Sequence, residues 1–395
     1  MQTQSSKGIA VVWKTTRWLA AGLLTLGLAA QAAAGELPAD QSHDLAAADM
    51  AAARAQDAPS DAMPARHVHS GNLLLFPAIT GFRRSSGGLD LPRSKLRPEV
   101  DIFYTSDFGR LRFLAEFLAS SDEREIERFQ VGWLLPNSAS FWLGRFHTPL
   151  GAWNAEHHHG AFLQTSISRP GIVSFEDESG VLPTHVTGAM LEGTLDRPAG
   201  LFTYSLGAGR GPILGDRLEP VQIRYPGAGG RQTITGHVSF RPRAEIGWEL
   251  GLFAGTARIP VQDNPAWNEA SLRLGGMFYK WESNRFSLIA EVFRIASQVD
   301  GTAASSRANF TAAYAQPEYR IGANWTVFGR IESNSARSDN AYVNLFPETI
   351  VSRTAAGFRV NVGRNQAFKL EASRNERGEG LRFGQVAAQW SMVYQ

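Results

Sequence analysis

The chain has 395 residues, 43% of them hydrophobic, no cysteine and a formal net charge of +2. Without cysteine it can form neither disulfide bonds nor thiolate metal sites, and its nearly balanced charge excludes the broad basic field of a nucleic-acid-binding protein. Abundant glycine and aromatic residues with modest overall hydrophobicity are typical of an exported barrel that has a polar interior.

The first 34 residues have the pattern of a secretory signal. Lys7, Lys14 and Arg17 precede the apolar residues 18–30, and the small residues 32–34 suit a signal peptidase. We therefore predict a signal peptide at residues 1–34. Its removal takes three of the 39 basic residues and leaves 36, against 37 acidic ones, so the mature chain is close to neutral.

Residues 35–70 are rich in Ala, Asp and Pro and contain no aromatic residue. A segment of this composition buries little apolar surface, so we predict a flexible periplasmic N-terminal segment. The alternative is that residues 45–55 form one short oligomerising helix. Nothing further along the chain supplies the roughly 20 uninterrupted apolar residues of a transmembrane helix. If this chain spans a membrane, the sequence predicts that it does so as a closed barrel.

From residue 71 onward, apolar and polar residues alternate in one segment after another. In the last segment Val386, Ala388, Trp390, Met392 and Tyr394 share one parity. Ionisable residues recur on the opposite parity of several segments, where a dry core would penalise them and a water-filled lumen would hydrate them. We predict that residues 71–395 form an all-β fold, a transmembrane antiparallel up-and-down β-barrel of about 16 strands.

The predicted strands lie near residues 72–82, 97–106, 109–119, 125–135, 139–147, 185–195, 200–209, 232–241, 245–256, 269–281, 285–296, 308–319, 323–333, 350–362, 366–374 and 382–394. With the N-terminus in the periplasm, the even-numbered connections are tight turns and most odd-numbered ones are longer, as extracellular loops are. The third loop is the longest, and it lies within residues 144–191.

The start of this loop contains the motif Gly144-x-Phe146-x-x-Pro149-x-Gly151, a strand that runs into a Gly-Pro loop. Here the chain resembles the porin superfamily, and its phosphate-selective (O/P type) porin-like branch in particular. The pattern of strands and turns extends the resemblance from about residue 71 to the end of the chain. The resemblance implies a passive diffusion channel, often trimeric, whose third loop folds into the barrel as a constriction. The chain lacks the dense lysine and arginine ladder of the phosphate-selective pattern.

Glu156, His157, His158 and His159 are imidazole and carboxylate groups that suit zinc, nickel or copper. Three consecutive histidines cannot all point at one ion in regular geometry. We therefore predict no metal site here and favour a structural loop held by hydrogen bonds.

A constriction is predicted where the third loop begins. Arg112, Arg128 and Arg145 lie on the parity opposite the phenylalanines that follow them, so they are expected to line the lumen. The predicted pore lining also includes the carboxylates expected to face this basic wall, Glu176, Asp177 and Glu178. It is completed by His147, the histidine at the start of the loop. The alternative is that the arginines pair with Glu99, Asp101 and Glu116 on neighbouring strands and the acidic run is a solvated loop tip.

The favoured function is a porin-like outer-membrane channel for small hydrophilic solutes or ions in a Gram-negative bacterium. The alternatives are a non-conducting surface-binding or structural barrel and, less favoured, an outer-membrane hydrolase. No G-x-S-x-G, Walker, Rossmann or H-E-x-x-H motif is present, so we predict neither an enzyme nor a cofactor. The expected partners are outer-membrane lipid and lipopolysaccharide, small polar solutes and further copies of the chain in a homotrimer.

Overall fold

The computed structural model describes residues 69–85, 92–157, 160–176, 179–221, 230–243, 247–336, 338–378 and 380–395. The predicted signal peptide and almost all of the predicted N-terminal segment lie outside these residues, so their boundaries stay predictions.

Sixteen strands of the described chain close into one antiparallel barrel. These strands are β1 (His69–Arg84), β2 (Ser94–Phe108), β3 (Leu111–Ser120), β4 (Arg124–Leu135), β5 (Ala139–His147), β6 (His185–Arg197), β7 (Gly200–Arg210), β10 (Gln232–Pro242), β11 (Gly247–Pro260), β12 (Glu269–Glu282), β13 (Phe286–Asp300), β14 (Ser305–Ile321), β15 (Trp325–Asn334), β16 (Ile350–Asn361), β17 (Gln366–Arg377) and β18 (Arg382–Met392). Two short strands, β8 (Ile213–Leu214) and β9 (Leu218–Glu219), pair separately. The predicted fold class is confirmed.

The barrel closes where β1 pairs with β18, with Ile79 opposite Trp390. Beyond the end of β18, the Tyr394 N–H donates to the Leu75 carbonyl at 2.9 Å and the Leu75 N–H donates to the Tyr394 carbonyl at 2.8 Å. The aromatic C-terminal segment thus completes the seam and leaves no open edge there.

The period-two alternation separates an outer from an inner face. On β11, Leu250 and Leu252 are exposed on the outside, whereas Phe253 is buried inside. The same outer exposure of large apolar side chains recurs around the barrel, for example at Leu143, Leu206 and Val238. An outer face of this kind suits contact with lipid.

Tight turns and long loops alternate along the chain, so they collect at opposite ends of the barrel. Residues 109–110, 136–138, 198–199 and 283–285 form tight turns, whereas residues 148–184, 211–231 and 335–349 form long loops. The connections at 121–123 and 301–304 are short although they belong to the loop end. We call residues 148–184 loop 3 and residues 211–231 loop 4.

The helices are short: α1 (Ala152–Glu156) lies in loop 3, α2 (Ala341–Asn344) lies between β15 and β16, and a 3-10 turn spans Gly171–Val173. Within the described residues, no helix has the length and apolar character needed to cross a membrane.

Alternation alone predicts a polar interior, but part of the interior is apolar. On β13 the inner parity carries Ile289, Phe293 and Ile295, all buried. They belong to a cluster that also contains Trp153 and Leu182 of loop 3. Loop 3 covers this apolar stretch of the wall, and burying it against the loop stabilises both. This contact explains why Ile289 interrupts the polar parity of its strand.

Candidate constriction inside the barrel

Loop 3 enters the barrel through a segment that depends on two glycines of the predicted motif. Gly144 has φ 134°, and a β-carbon there would collide with the Phe129 carbonyl on β4. Gly151 has φ 92°, and its β-carbon would collide with the carboxylate of Glu291 on β13. Both positions need a left-handed backbone and a close approach, which only glycine accommodates without strain.

The helix α1 then docks on the inner wall. The Trp153 N–H donates to Glu291 Oε1 at 2.7 Å, and the Tyr314 hydroxyl donates to the same oxygen at 2.6 Å. The Trp153 ring is 1% exposed and meets the Tyr314 ring edge to face, with centroids 6.0 Å apart. One buried carboxylate therefore fixes the start of loop 3 to β13 and β14.

Carboxylates at other points of the wall accept further N–H groups from loop 3. Glu371 on β17 accepts from the Ile167 and Ser168 amides at 2.8 and 3.0 Å. Glu332 on β15 accepts from the Gly171 amide. On the other side of the seam, Asp101 of β2 accepts from the amide of Gly160, at 3.2 Å.

Basic side chains bind the carbonyls of the same loop. The Arg330 guanidinium on β15 donates to the Ser168 carbonyl at 2.7 Å, and Arg353 on β16 donates to the Arg169 carbonyl at 2.6 Å. Lys369 on β17 donates to the Ala161 carbonyl.

One loop that bonds to strands on both sides of the seam must cross the interior, so these wall side chains point inward. Buried backbone groups are costly unless they have partners, and the wall supplies acceptors for the loop amides and donors for the loop carbonyls. Loop 3 is therefore held inside the barrel by these contacts, and its role as a constriction stays a prediction.

The predicted arginines Arg112 and Arg128 lie on the inner face of β3 and β4. The Arg112 guanidinium is 3.1 Å from the Asp107 carboxylate, and that of Arg128 is 2.8 Å from Glu116. The Arg128 pair is the strand-to-strand pairing that the alternative interpretation predicted. Whether these side chains border the water-filled path stays a prediction.

Phe146 faces the side opposite to the one expected from the sequence, whereas the place of Arg145 in the pore lining stays a prediction. Phe146 is 1% exposed and packs inward with Trp142 and Val186. Arg145 is 5% exposed, and it donates to Glu125 at 3.2 Å and to the Val221 carbonyl of loop 4. On β5 the buried Trp142 and Phe146 share one parity and the exposed Phe141 and Leu143 the other, so the strand alternates regularly and its inner face is apolar here. Arg145 joins the base of loop 3 to loop 4.

Glu176, the described residue of the acidic run, binds at the base of loop 3. Glu176 Oε1 accepts the Thr184 amide at 2.7 Å, and Glu176 Oε2 lies 2.8 Å from His185 Nδ1. His147 lies beside His185, with ring centroids 4.8 Å apart. Asp177 and Glu178 lie outside the described residues, so their part in a constriction stays a prediction.

No metal site was predicted for the segment 156–159, of which the structure describes Glu156 and His157. Glu156 pairs with Lys280 of β12, and the His157 ring stacks on Trp153 with centroids 4.8 Å apart. Burial lowers the pKa of His157 to about 4, so this imidazole is neutral near pH 7. His158 and His159 lie outside the described residues.

The predicted site residues do not include the side chains that hold loop 3: Glu291, Arg330, Glu332, Lys369 and Glu371. The available signal was the recurrence of ionisable residues on the inner parity of β13, β15 and β17. The pattern did not contain their partners, because backbone groups of a loop 138 to 203 positions away leave no mark in the alternation.

A closed barrel of sixteen antiparallel strands with its third loop inside defines a porin-type architecture. Solved porins share this fold. The anion-selective porin from Comamonas acidovorans superposes with a TM-score of 0.56 at 12% identity, over 83% of this chain and 100% of that one. The outer membrane channel DcaP of Acinetobacter baumannii gives 0.54 at 11% identity, over 82% and 97%.

The in-vitro folded OmpT of Vibrio cholerae in its trimer form gives a TM-score of 0.54 at 7% identity, over 82% of this chain and 99% of that one. No protein-family model and no curated protein sequence matches the chain. At these identities the similarity concerns the fold, and function must be argued from this chain's own residues.

Proposed function

We propose that this protein is an outer-membrane channel of a Gram-negative bacterium through which small hydrophilic solutes or ions diffuse passively. The observation that carries the proposal is loop 3, held inside a closed barrel by wall carboxylates and wall cations. A loop fixed in this way narrows a lumen to a defined size, which a channel needs to select solutes. The apolar outer face supports a place in lipid.

A second feature that favours a channel is the charge on the inner face of β3 and β4. Arg112 and Arg128 keep 11% and 15% of their side-chain surface exposed, beside Asp107 and Glu116. Mixed charges facing water favour hydrated polar solutes over apolar ones. The hydrolase alternative has no comparable support: Ser166 and Ser168, the loop 3 serines that could act as nucleophiles, bond within the described residues to the Ser168 carbonyl, Glu371 and Arg330.

The resemblance to the phosphate-selective branch also suggests a narrower function, a channel specialised for phosphate. A phosphate path needs cations that face water. Among the residues that the structure describes, the inward-facing cations Arg330 and Lys369 are almost wholly buried and bind loop 3. We infer a channel with modest ion selectivity instead of a phosphate-specific one.

The outer face contacts lipid and lipopolysaccharide in this proposal, and the trimer form of OmpT makes a homotrimer the assembly to test first. Cross-linking of the detergent-solubilised protein, followed by light scattering, distinguishes a trimer from a monomer.

The deciding experiment is reconstitution of the purified, folded protein into planar bilayers. We expect discrete conductance steps in KCl. We also expect a small reversal potential in a salt gradient. This potential should not change when chloride is replaced by phosphate of equal charge concentration. Folded protein that gives no conductance would overturn the proposal in favour of a structural barrel. Hydrolysis of lipid or peptide substrates by the same preparation would favour the enzyme alternative.

A further inference from the structure

The group at the base of loop 3 has the composition of a metal site. Glu127 of β4, His147 at the end of β5 and His185 at the start of β6 place three ligand atoms within 4.8 Å of one another. These side chains are 9%, 6% and 4% exposed. We propose that they bind one zinc ion, or a similar divalent transition-metal ion, at the loop end of the barrel.

The backbone brings the three residues together. His147 and His185 are direct partners across β5 and β6. The pairing of β3 with β4 shifts register at Glu116, which faces Arg128 while Phe117 faces Ile126, so Glu127 is the extra residue of a β-bulge. A bulge redirects a side chain out of the regular alternation, and such bulges are frequent beside functional sites. Here the bulge turns Glu127 toward the two histidines.

The distances are close to those of a zinc site. Ligand atoms about 2.0 to 2.1 Å from a tetrahedral zinc are roughly 3.3 Å from each other. Glu127 Oε2 is 2.8 Å from His185 Nε2 and 3.9 Å from His147 Nε2. All three ligand atoms lie within 4.8 Å of one another, so side-chain adjustments of about 1 Å complete the arrangement.

A second carboxylate orients one of the ligands. His185 Nδ1 lies 2.8 Å from Glu176 Oε2, and Glu176 is 2% exposed. In zinc proteins a metal-bound histidine commonly donates its other ring N–H to such a carboxylate, which fixes the tautomer and raises the basicity of the ligand nitrogen. Glu176 would hold the proton on Nδ1, so that Nε2 of His185, which faces Glu127, presents its lone pair to the ion.

The site has room for a fourth ligand. A cavity of about 40 Å³ adjoins His185, Glu127 and Glu176, and Glu125 and Glu219 also line it. This volume holds roughly three water molecules. Two imidazoles, one carboxylate and water are a ligand set of intermediate softness, which suits zinc better than calcium or magnesium. The surrounding carboxylates favour entry of a cation.

The alternative without metal is a protonated His185 held between Glu127 and Glu176. Equilibrium dialysis of the folded mature protein, without a histidine tag, against zinc separates the two. We expect one tight zinc per chain, and a loss of affinity of about 10- to 100-fold in Glu176→Gln because the outer carboxylate is removed. His147→Ala is expected to lose more than Glu176→Gln, since it removes a ligand.

Two controls identify the site. His237→Ala removes a half-buried histidine of β10 that stacks on Phe278, and it should leave zinc binding unchanged. His147→Cys replaces one zinc ligand by another in a chain that otherwise has no cysteine. With cobalt in place of zinc, His147→Cys should therefore give a thiolate-to-metal charge-transfer absorption that the wild type lacks.

A folded wild-type protein that binds no zinc at micromolar concentration would refute the metal site and favour the protonated His185. Binding retained in His147→Ala but lost on replacing His157, His158 and His159 would refute it in favour of the histidine run. Neither result bears on the channel proposal, because conductance is measured separately.

Discussion

The backbone N–H of Trp153, in loop 3, donates to the Glu291 carboxylate of β13 at 2.7 Å, and both residues are buried. The contact joins positions 138 residues apart in the chain. It shows why the glycine two residues before Trp153 matters: a side chain at Gly151 would occupy the space of the same carboxylate.

Gly151→Ala is expected to push α1 away from the wall and into the lumen, and so to lower single-channel conductance. The positive φ at this position adds about 1 to 2 kcal/mol of backbone strain. Gly363→Ala is the matched control, since Gly363 also has a positive φ but a β-carbon added there would meet no atom within 4 Å. Planar-bilayer recordings of both variants check the prediction. Equal conductance in the two would mean that α1 does not border the path.

Arg330→Met is expected to destabilise the protein by about 3 to 5 kcal/mol, because it removes a buried cation that binds both Glu332 and the Ser168 carbonyl. Glu332 then keeps Arg353, at 3.3 Å. Arg330 is 1% exposed, 3.2 Å from Glu332 and bonded to the Ser168 carbonyl. Loosening loop 3 should also make the open-channel current noisier. Denaturant unfolding, followed by tryptophan fluorescence, measures the stability.

The matched control is Arg307→Met. Arg307 of β14 bonds to an exposed partner, Gln298, at 2.9 Å, and exposed substitutions of this kind change stability by less than about 0.5 kcal/mol. Losses of similar size in the two variants would show that burial of Arg330 against loop 3 contributes little.

The sequence predicted the barrel well because a transmembrane strand shows its two environments in every second residue. The sixteen predicted strands correspond one to one to the barrel strands, and Leu250, Leu252 and Trp390 lie on the outer face as their parity indicates. The signal is strong since lipid and lumen differ in polarity all along each strand. Register and closure follow once the turns are placed.

The interior was harder to predict because parity gives a direction and not a partner. Phe146 is an example, because it shares the inner parity of Trp142 and packs with Trp142 and Val186, although its apolar side chain was expected to face lipid. Glu127 became an inner ligand candidate only through a bulge, which a period-two pattern does not contain. Such features depend on contacts between strands and loops distant in sequence.

The pair Arg128 and Glu116 predicts the sign of ion selectivity. Arg128→Gln leaves the carboxylate 2.8 Å away without its cation and should shift the reversal potential toward cations. Glu116→Gln leaves the guanidinium and should shift it toward anions. A unit charge about 8 Å from a permeating ion in water changes the ion's energy by about 0.5 kcal/mol, which is roughly twofold in permeability ratio.

The double variant Arg128→Gln with Glu116→Gln should return the reversal potential to the wild-type value, because the pair is neutral in both. Zero-current potentials in a KCl gradient measure all four proteins. Single variants that leave the potential unchanged, in protein that still folds, would place this pair away from the conduction path.

Tyr394 closes the barrel seam and is 44% exposed on the outer side, next to Trp390 at 51%. Tyr394→Asp places a charge where an aromatic side chain meets lipid, and it should reduce the amount of folded protein in the outer-membrane fraction severalfold. Gln395→Asp adds the same charge one position further, at an exposed residue outside the seam bonds, and is the control. Membrane fractionation with protease digestion compares the two. If Tyr394→Asp inserts as well as Gln395→Asp, then the backbone pairing with Leu75 is sufficient to close the barrel. The Tyr394 ring would then only cover surface and would not be needed for insertion.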